Sequence, residues 1–169
     1  MPLGRITGYT YILGDNIDTD VIIPGRYLAL KKPEALARHA LEAIDPGFHE
    51  KARKGVIIIA GKNFGMGSSR EQAVIALKAA GVKAVVAESF ARLFYRNAVN
   101  NALPVAECTL DRSTLDNDLL AELDYSEGLL RIPEKGVWVK CKTPTGYARY
   151  IIEKGGLLSI LRERTTVKP

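Results

Sequence analysis

Val56-Ile57-Ile58-Ile59-Ala60-Gly61-Lys62-Asn63-Phe64-Gly65-Met66-Gly67-Ser68-Ser69-Arg70-Glu71 joins a five-residue apolar run to a glycine-rich turn. The residues that follow, Gln72-Ala73-Val74-Ile75-Ala76-Leu77-Lys78-Ala79-Ala80, carry the apolar spacing of a helix. A buried strand therefore feeds a turn, and the turn opens a helix. The first N–H groups of a helix lack partners within it and carry partial positive charge, so such a junction suits an anion. Ser68, Ser69 and Arg70 bring two hydroxyls and a guanidinium to the same point. Carboxylate or phosphate chemistry is the expectation.

A purely structural reading competes with it. Ser68 and Glu71 have the spacing of a capping box, with Ser68 as N-cap and Glu71 reaching back. A cap does not need Gly61, Gly65 and Gly67 before it, since each glycine costs chain entropy unless positive φ or close backbone approach requires it. No Lys-Ser/Thr pair follows the last glycine, so the turn is not a Walker A loop, and the glycine spacing is wrong for the dinucleotide fingerprint.

On the N-terminal side, residues 7–13 read as a strand, broken by the acidic loop Gly14-Asp15-Asn16-Ile17-Asp18-Thr19-Asp20. A short apolar run, Val21-Ile22-Ile23, is stopped by Pro24-Gly25, and residues 33–44 read as a helix ended by Asp45-Pro46-Gly47. On the C-terminal side, Gly81 signals a helix end, then a strand over 83–87, a helix over 90–100 and a strand over 103–106. This alternation implies a short parallel sheet with right-handed crossovers and helices, whose ligands gather at the carboxyl ends of the strands. The last third predicts a helix over 115–123, an antiparallel set over 128–132, 137–142 and 147–152, and a closing helix over 157–162. Residues 165–169 are expected to fray.

The whole chain sets further bounds. Its 169 residues fit one domain, 1–169, and 47% hydrophobic with 25% charged residues is the composition of a soluble globular protein. No apolar run has the length of a membrane span and no signal-peptide pattern opens the chain, so no membrane and a cytoplasmic location are expected. The net charge of +5 is spread along the chain without interleaved aromatics, which argues against nucleic acid and for small polyanionic substrates. Cys108 and Cys141 are isolated in sequence and read as small buried thiols of a reducing compartment. Two scattered cysteines cannot by themselves hold a cluster or a structural zinc, and His39 and His49 lack metal-ligand spacing. Asp15, Asp18 and Asp20 lack the glycine and glutamate of a calcium loop and read as turn formers and caps. Gln72 is the only glutamine, a hint of a thermophilic source.

Three segments in this order, Asp18-Thr19-Asp20-x-Ile22-Ile23-Pro24, Gly65-x-Gly67-Ser68-Ser69-Arg70-Glu71 and Ser89-Phe90-Ala91-Arg92, resemble the small-subunit family of 3-isopropylmalate dehydratase (isopropylmalate isomerase). That family is the counterpart of the swivelling domain of aconitase, and the similarity runs from about residue 14 to residue 104. The resemblance implies an α/β swivelling domain of β/β/α type that is active only with a large subunit, as a heterodimer or heterotetramer. No cofactor is expected in this chain; a [4Fe–4S] cluster is expected in the large subunit. The substrate class is a small 2-hydroxy di-acid, and self-association of the isolated chain stays open. By resemblance, Ser68 is the proton-abstracting base, Ser69 and Arg70 bind a substrate carboxylate with Thr19 beside them, and Asp20 orients catalytic groups. The simple N-cap remains the alternative for Ser68. Phe90 is expected to open the next helix and pack beneath the turn, Arg92 to brace neighbouring strand ends, and Asn97 and Asn100 to lie on a helix surface or interface.

Substrate choice is expected in the loop Arg26-Tyr27-Leu28-Ala29-Leu30. A buried carboxylate substituent calls for a cation, because an unpaired charge is costly to desolvate. Where homoaconitase-like relatives place arginine after Tyr-Leu, this chain has Ala29, which favours an isopropyl group. Arg26 could reach the pocket by another path. Homoaconitase, citramalate-type or dimethylmalate-type dehydration, and a non-catalytic anion-binding or assembly module of the same fold, are the alternatives.

Overall fold

The computed structural model describes residues 3–166. Its elements run β1 (Arg5–Ile12), α1 (Thr19–Ile22), α2 (Pro33–Ala37), α3 (Phe48–Ala52), β2 (Val56–Ala60), α4 (Glu71–Ala80), β3 (Val82–Ala87), α5 (Arg92–Asn100) and β4 (Val105–Glu107). They continue with β5 (Leu120–Asp124), β6 (Leu129–Ile132), β7 (Val137–Lys140), α6 (Gly146–Glu153) and α7 (Leu157–Thr166). One seven-stranded sheet has the order β4-β3-β2-β1-β5-β6-β7. Strands β1 to β4 are parallel, and β5, β6 and β7 extend the β1 edge in antiparallel register. The expected α/β swivelling domain, a short parallel sheet with helices plus antiparallel strands, is the architecture found.

All five residues of β2 are buried because both faces of the sheet are covered there. Val56, Ile58 and Ala60 point into one core with α1, α2, α3 and α4, while Ile57 and Ile59 point into a second with the antiparallel strands and the C-terminal helices. Helix α4 ends where expected: Gly81 is left-handed at φ 118° and its N–H closes on Leu77 and Lys78 carbonyls.

Three elements differ from the sequence reading. The helix expected over 33–44 stops at Ala37, and turns follow; Leu41 is left-handed and donates its N–H to the Ile22 carbonyl. Residues 115–123 are not a helix. Leu115, Leu119 and Leu123 recur every four residues, but Ala121 and Leu123 alternate inward in β5, which pairs with β1 from Arg5↔Asp124 to Tyr9↔Leu120. Residues 147–152 are helix, not strand: Ile151 and Ile152 bury one face of α6, and Arg149 pairs with Glu153 one turn on at 3.0 Å. Helix α7 takes in Thr165 and Thr166, and residues 167–169 of the tail expected to fray lie outside the described residues.

The sheet curls until its two edges meet. Glu107, the last residue of β4, and Lys142, two residues beyond β7, exchange backbone hydrogen bonds of 2.9 and 2.8 Å. This closure brings Cys108 and Cys141 to a Cα separation of 4.5 Å, joined as a disulfide. The expectation of two isolated free thiols is therefore corrected.

Candidate active site

The turn after β2, residues 61–70, is laced to two other loops by main-chain bonds. Gly65 N–H donates to the Ile17 carbonyl at 2.8 Å, and Thr19 N–H to the Met66 carbonyl at 2.9 Å. On the other side Phe64 N–H donates to the Ser89 carbonyl at 3.0 Å, and Ala91 N–H to the Phe64 carbonyl at 2.9 Å. The three segments singled out in the sequence thus meet at the carboxyl ends of the parallel strands. Two glycines are sterically obligatory here. Gly65 has φ 81°, and a Cβ on it would lie 2.2 Å from Phe94 Cγ; Gly67 has φ 88°, and its Cβ would lie 2.7 Å from both carboxylate oxygens of Asp18.

The three aspartates have separate tasks. Asp15 accepts from Lys62 N–H at 2.8 Å and from Arg112 Nη2 at 3.0 Å; the Lys62 bond first, with Arg112, holds its carboxyl below the usual range. Asp18 caps α1 by accepting from Asp20 N–H at 2.8 Å. That leaves the Asp20 carboxylate outside the turn, where it pairs with Arg70 Nη1. The same Nη1 also donates to the Ile23 carbonyl at 3.3 Å. Among the described residues nothing pairs with Nε or Nη2 of Arg70, so part of its fork is held and part is available. Thr19 is buried and donates its hydroxyl to the Ser68 carbonyl at 2.8 Å, fixing the serine pair from behind.

Ser68 and Ser69 are exposed on this surface. Helix α4 begins at Glu71 with Arg70 in the N-cap position and no side-chain cap bond. Ser68 is therefore two residues short of the cap, and Glu71 accepts instead from Asn101 Nδ2 at 3.0 Å. The capping-box reading is corrected, and both hydroxyls point where a ligand could meet them. Asn97, expected on a helix surface or interface, reaches across from α5 to Ser69 Oγ at 3.5 Å. Arg112 was not singled out at all. Only the three-dimensional pairing of α5 with α4, and of residue 112 with the loop after β1, brings these two to the site.

Phe90 lies before α5 rather than in it, 6.1 Å ring to ring from Phe64, which it supports edge-on. Arg92 braces nothing among the described residues; it is exposed and lines a cleft with Phe90, Tyr95, Glu107 and Lys142. No group of three or more His, Cys, Asp or Glu side chains is placed to hold a metal ion among the described residues.

The loop expected to set substrate choice abuts this surface. A Cβ on Gly25 would stand 3.7 Å from Arg70 Nη2 and 4.0 Å from Asp20 Oδ1. Tyr27, Leu28 and Leu30 lean on the core, while Arg26 and Ala29 are exposed. Arg26 lies over the Tyr27 ring at 4.7 Å, His39 stacks on Tyr27 at 3.6 Å between centroids, and Glu42 receives Arg26 at 3.0 Å and His39 Nδ1 at 2.8 Å.

An exposed pair of hydroxyls, a half-committed guanidinium and helix-start N–H groups with no acceptor among the described residues form a face whose chemistry suits an anion. Among the described residues no wall covers Ser68 and Ser69. The model of the aconitase C-terminal domain matches residues 17–107, which contain the Asp18–Pro24 segment, the 61–70 turn and residues 89–92. A 3-isopropylmalate dehydratase small subunit of Saccharolobus islandicus (strain M.14.25 / Kamchatka #1) is 53% identical over 96% of this chain and 97% of its own length. One from Halothermothrix orenii is 48% identical over 94% of each chain. A crystal structure of 3-isopropylmalate dehydratase (leuD) from Methanocaldococcus jannaschii superposes with a TM-score of 0.89 at 44% identity, covering 96% of both chains.

Proposed function

The chain belongs to the aconitase C-terminal domain family, and from that premise we propose that it is the small subunit of a 3-isopropylmalate dehydratase. The reading is of a hydro-lyase that interconverts 2- and 3-isopropylmalate through 2-isopropylmaleate, in leucine biosynthesis in the cytoplasm. The observation that carries it is the near full-length likeness to named small subunits, combined with a Ser68-Ser69-Arg70 face left open on one side. A face of this kind calls for a second wall, and a large subunit would supply it.

The cluster of such an enzyme does not fit here. The two cysteines of this chain are bonded to each other, so its ligands would belong to the large subunit, where it would supply Lewis-acid chemistry at the departing hydroxyl. The rest falls to the residues in hand. Arg70, steadied on one nitrogen by Asp20, would present its remaining N–H groups to a substrate carboxylate, with Ser69 beside it. Ser68 would take the carbon-bound proton next to that carboxylate; the C–H electrons become the new double bond and the hydroxyl leaves as hydroxide. Water adding at the other carbon, with return of the proton, completes the isomerisation. A serine hydroxyl is a weak acid, so this role needs strong anion stabilisation. The N–H groups of Glu71 and Gln72, which have no acceptor among the described residues, and the nearby Arg70 cation would provide it.

The exposed, uncharged Ala29, in the loop that Gly25 opens against Arg70 and Asp20, favours an apolar substituent over a carboxylate-bearing one. The test is reconstitution with the large subunit encoded in the same genome, assayed on 2-isopropylmalate, homocitrate and citramalate. Preference for isopropylmalate is expected; preference for homocitrate would assign the chain to homoaconitase.

A further inference from the structure

Glu42 lies outside the anion-binding face, yet among the described residues it is the only carboxylate that pairs with Arg26. Arg26 directly follows Gly25, which stands against Arg70 and Asp20. Adjacent Cα atoms are about 3.8 Å apart, so an unpaired Arg26 side chain has the length to swing over Arg70. It does not do so in this structure. The Arg26 guanidinium lies over the Tyr27 ring at 4.7 Å, and the His39 ring stacks on Tyr27 at 3.6 Å, the two rings within 8° of parallel. Both Tyr27 neighbours are fastened by one carboxylate: Oε1 of Glu42 to Arg26 at 3.0 Å, and Oε2 to His39 at 2.8 Å.

The geometry points to Glu42 as a specificity-positioning residue: by holding Arg26 against Tyr27 it keeps a cation away from the part of the face that receives the substrate's variable substituent. The inference rests on the function proposed above. An apolar substituent then meets Ala29 and no unpaired charge. A substituent ending in a carboxylate finds no counter-ion unless Arg26 first leaves Glu42, and that rupture is a penalty such substrates alone would bear. Arg26 is 68% exposed and Glu42 22%, so the pair is partly screened and the penalty is moderate.

The test uses the complete enzyme, with the large subunit, and reads kcat and KM separately for 2-isopropylmalate and for homocitrate. In Glu42→Gln the ratio of kcat/KM for homocitrate to that for isopropylmalate is expected to rise roughly fivefold, in line with a partly exposed pair. The change should sit in the homocitrate KM rather than in kcat. Arg26→Gln in the Glu42→Gln background should cancel the rise, because the freed guanidinium is its source. Glu42→Asp, one methylene too short to fasten both ends, should move the ratio the same way and serves if Glu42→Gln does not fold. A ratio unchanged in a folded Glu42 variant, or a rise that survives removal of Arg26, overturns the inference. A wild-type complex that does not turn over isopropylmalate counts instead against the proposed function.

Discussion

Among the described residues Arg70 uses only Nη1, on Asp20 and on the Ile23 carbonyl, and its side chain is 16% exposed. A planar fork anchored at one nitrogen can present the others in a fixed plane, which a lysine ammonium on a flexible stem cannot. Arg70→Lys is therefore expected to lower kcat/KM of the assembled enzyme nearly as far as Arg70→Ala. Loss of charge-assisted hydrogen bonds at this scale corresponds to roughly ten- to a hundredfold. Recovery of most of the activity with lysine would show that positive charge alone suffices. The surroundings of Arg70 explain why the lysine should fail: the Asp20 carboxylate would draw a point charge to itself.

At the scale of elements, the loop before α3 is held by Asp45. Its carboxylate accepts from Lys51 Nζ at 2.6 Å, Tyr11 hydroxyl at 2.8 Å and Gly47 N–H at 2.9 Å. The Lys51 bond above all, helped by Tyr11 and Gly47 and against partial burial, holds the Asp45 carboxyl below its usual range. A carboxyl depressed in the folded state stabilises the protein above the unfolded value near about 3.9, and that contribution fades as pH falls through the folded value. Asp45→Asn should cost about 1–2 kcal/mol in urea unfolding at pH 7, and the gap to wild type should narrow at pH 3. A gap that is constant with pH would mean that the carboxylate's charge plays no part. Elements such as β2 and α4 were legible in the sequence because their periodicity and their glycines agree with where they pack. Residues 147–152 were not, since Tyr-Ala-Arg-Tyr-Ile-Ile suits a strand locally and only the buried Ile151 and Ile152 decide for a helix. The serine and arginine turn and the Thr19-Asp20 loop were likewise legible from residue chemistry, whereas Asn97 and Arg112 join the site through contacts 28 and 97 residues distant in sequence.

At the scale of the whole molecule, the Cys108–Cys141 bond and the Glu107–Lys142 bridge join the two edges of the sheet. A cross-link across 33 residues restricts the unfolded chain by about 3–4 kcal/mol. Reduction, or Cys108→Ala with Cys141→Ala, is therefore expected to lower Tm by roughly 10 °C while leaving the backbone bridge in place. Indifference of Tm to reductant, with two titratable thiols in the native protein, would mean that the bridge alone closes the sheet.

The proposed function concentrates on one hydroxyl, exposed on an open face and no part of the helix cap. The most direct measurement is 2-isopropylmalate turnover by the purified two-subunit complex, wild type against Ser68→Ala, with complex formation followed by size-exclusion chromatography. Because Ser68 makes no side-chain hydrogen bond among the described residues, the variant should fold, bind the large subunit and melt within about 0.5 kcal/mol of wild type. Its turnover should fall by roughly a thousandfold or more, as expected for loss of a proton-transfer group acting with its neighbours. An intact Ser68→Ala complex that turns over isopropylmalate at near wild-type rate would remove Ser68 from the chemistry and leave the face as a binding surface only.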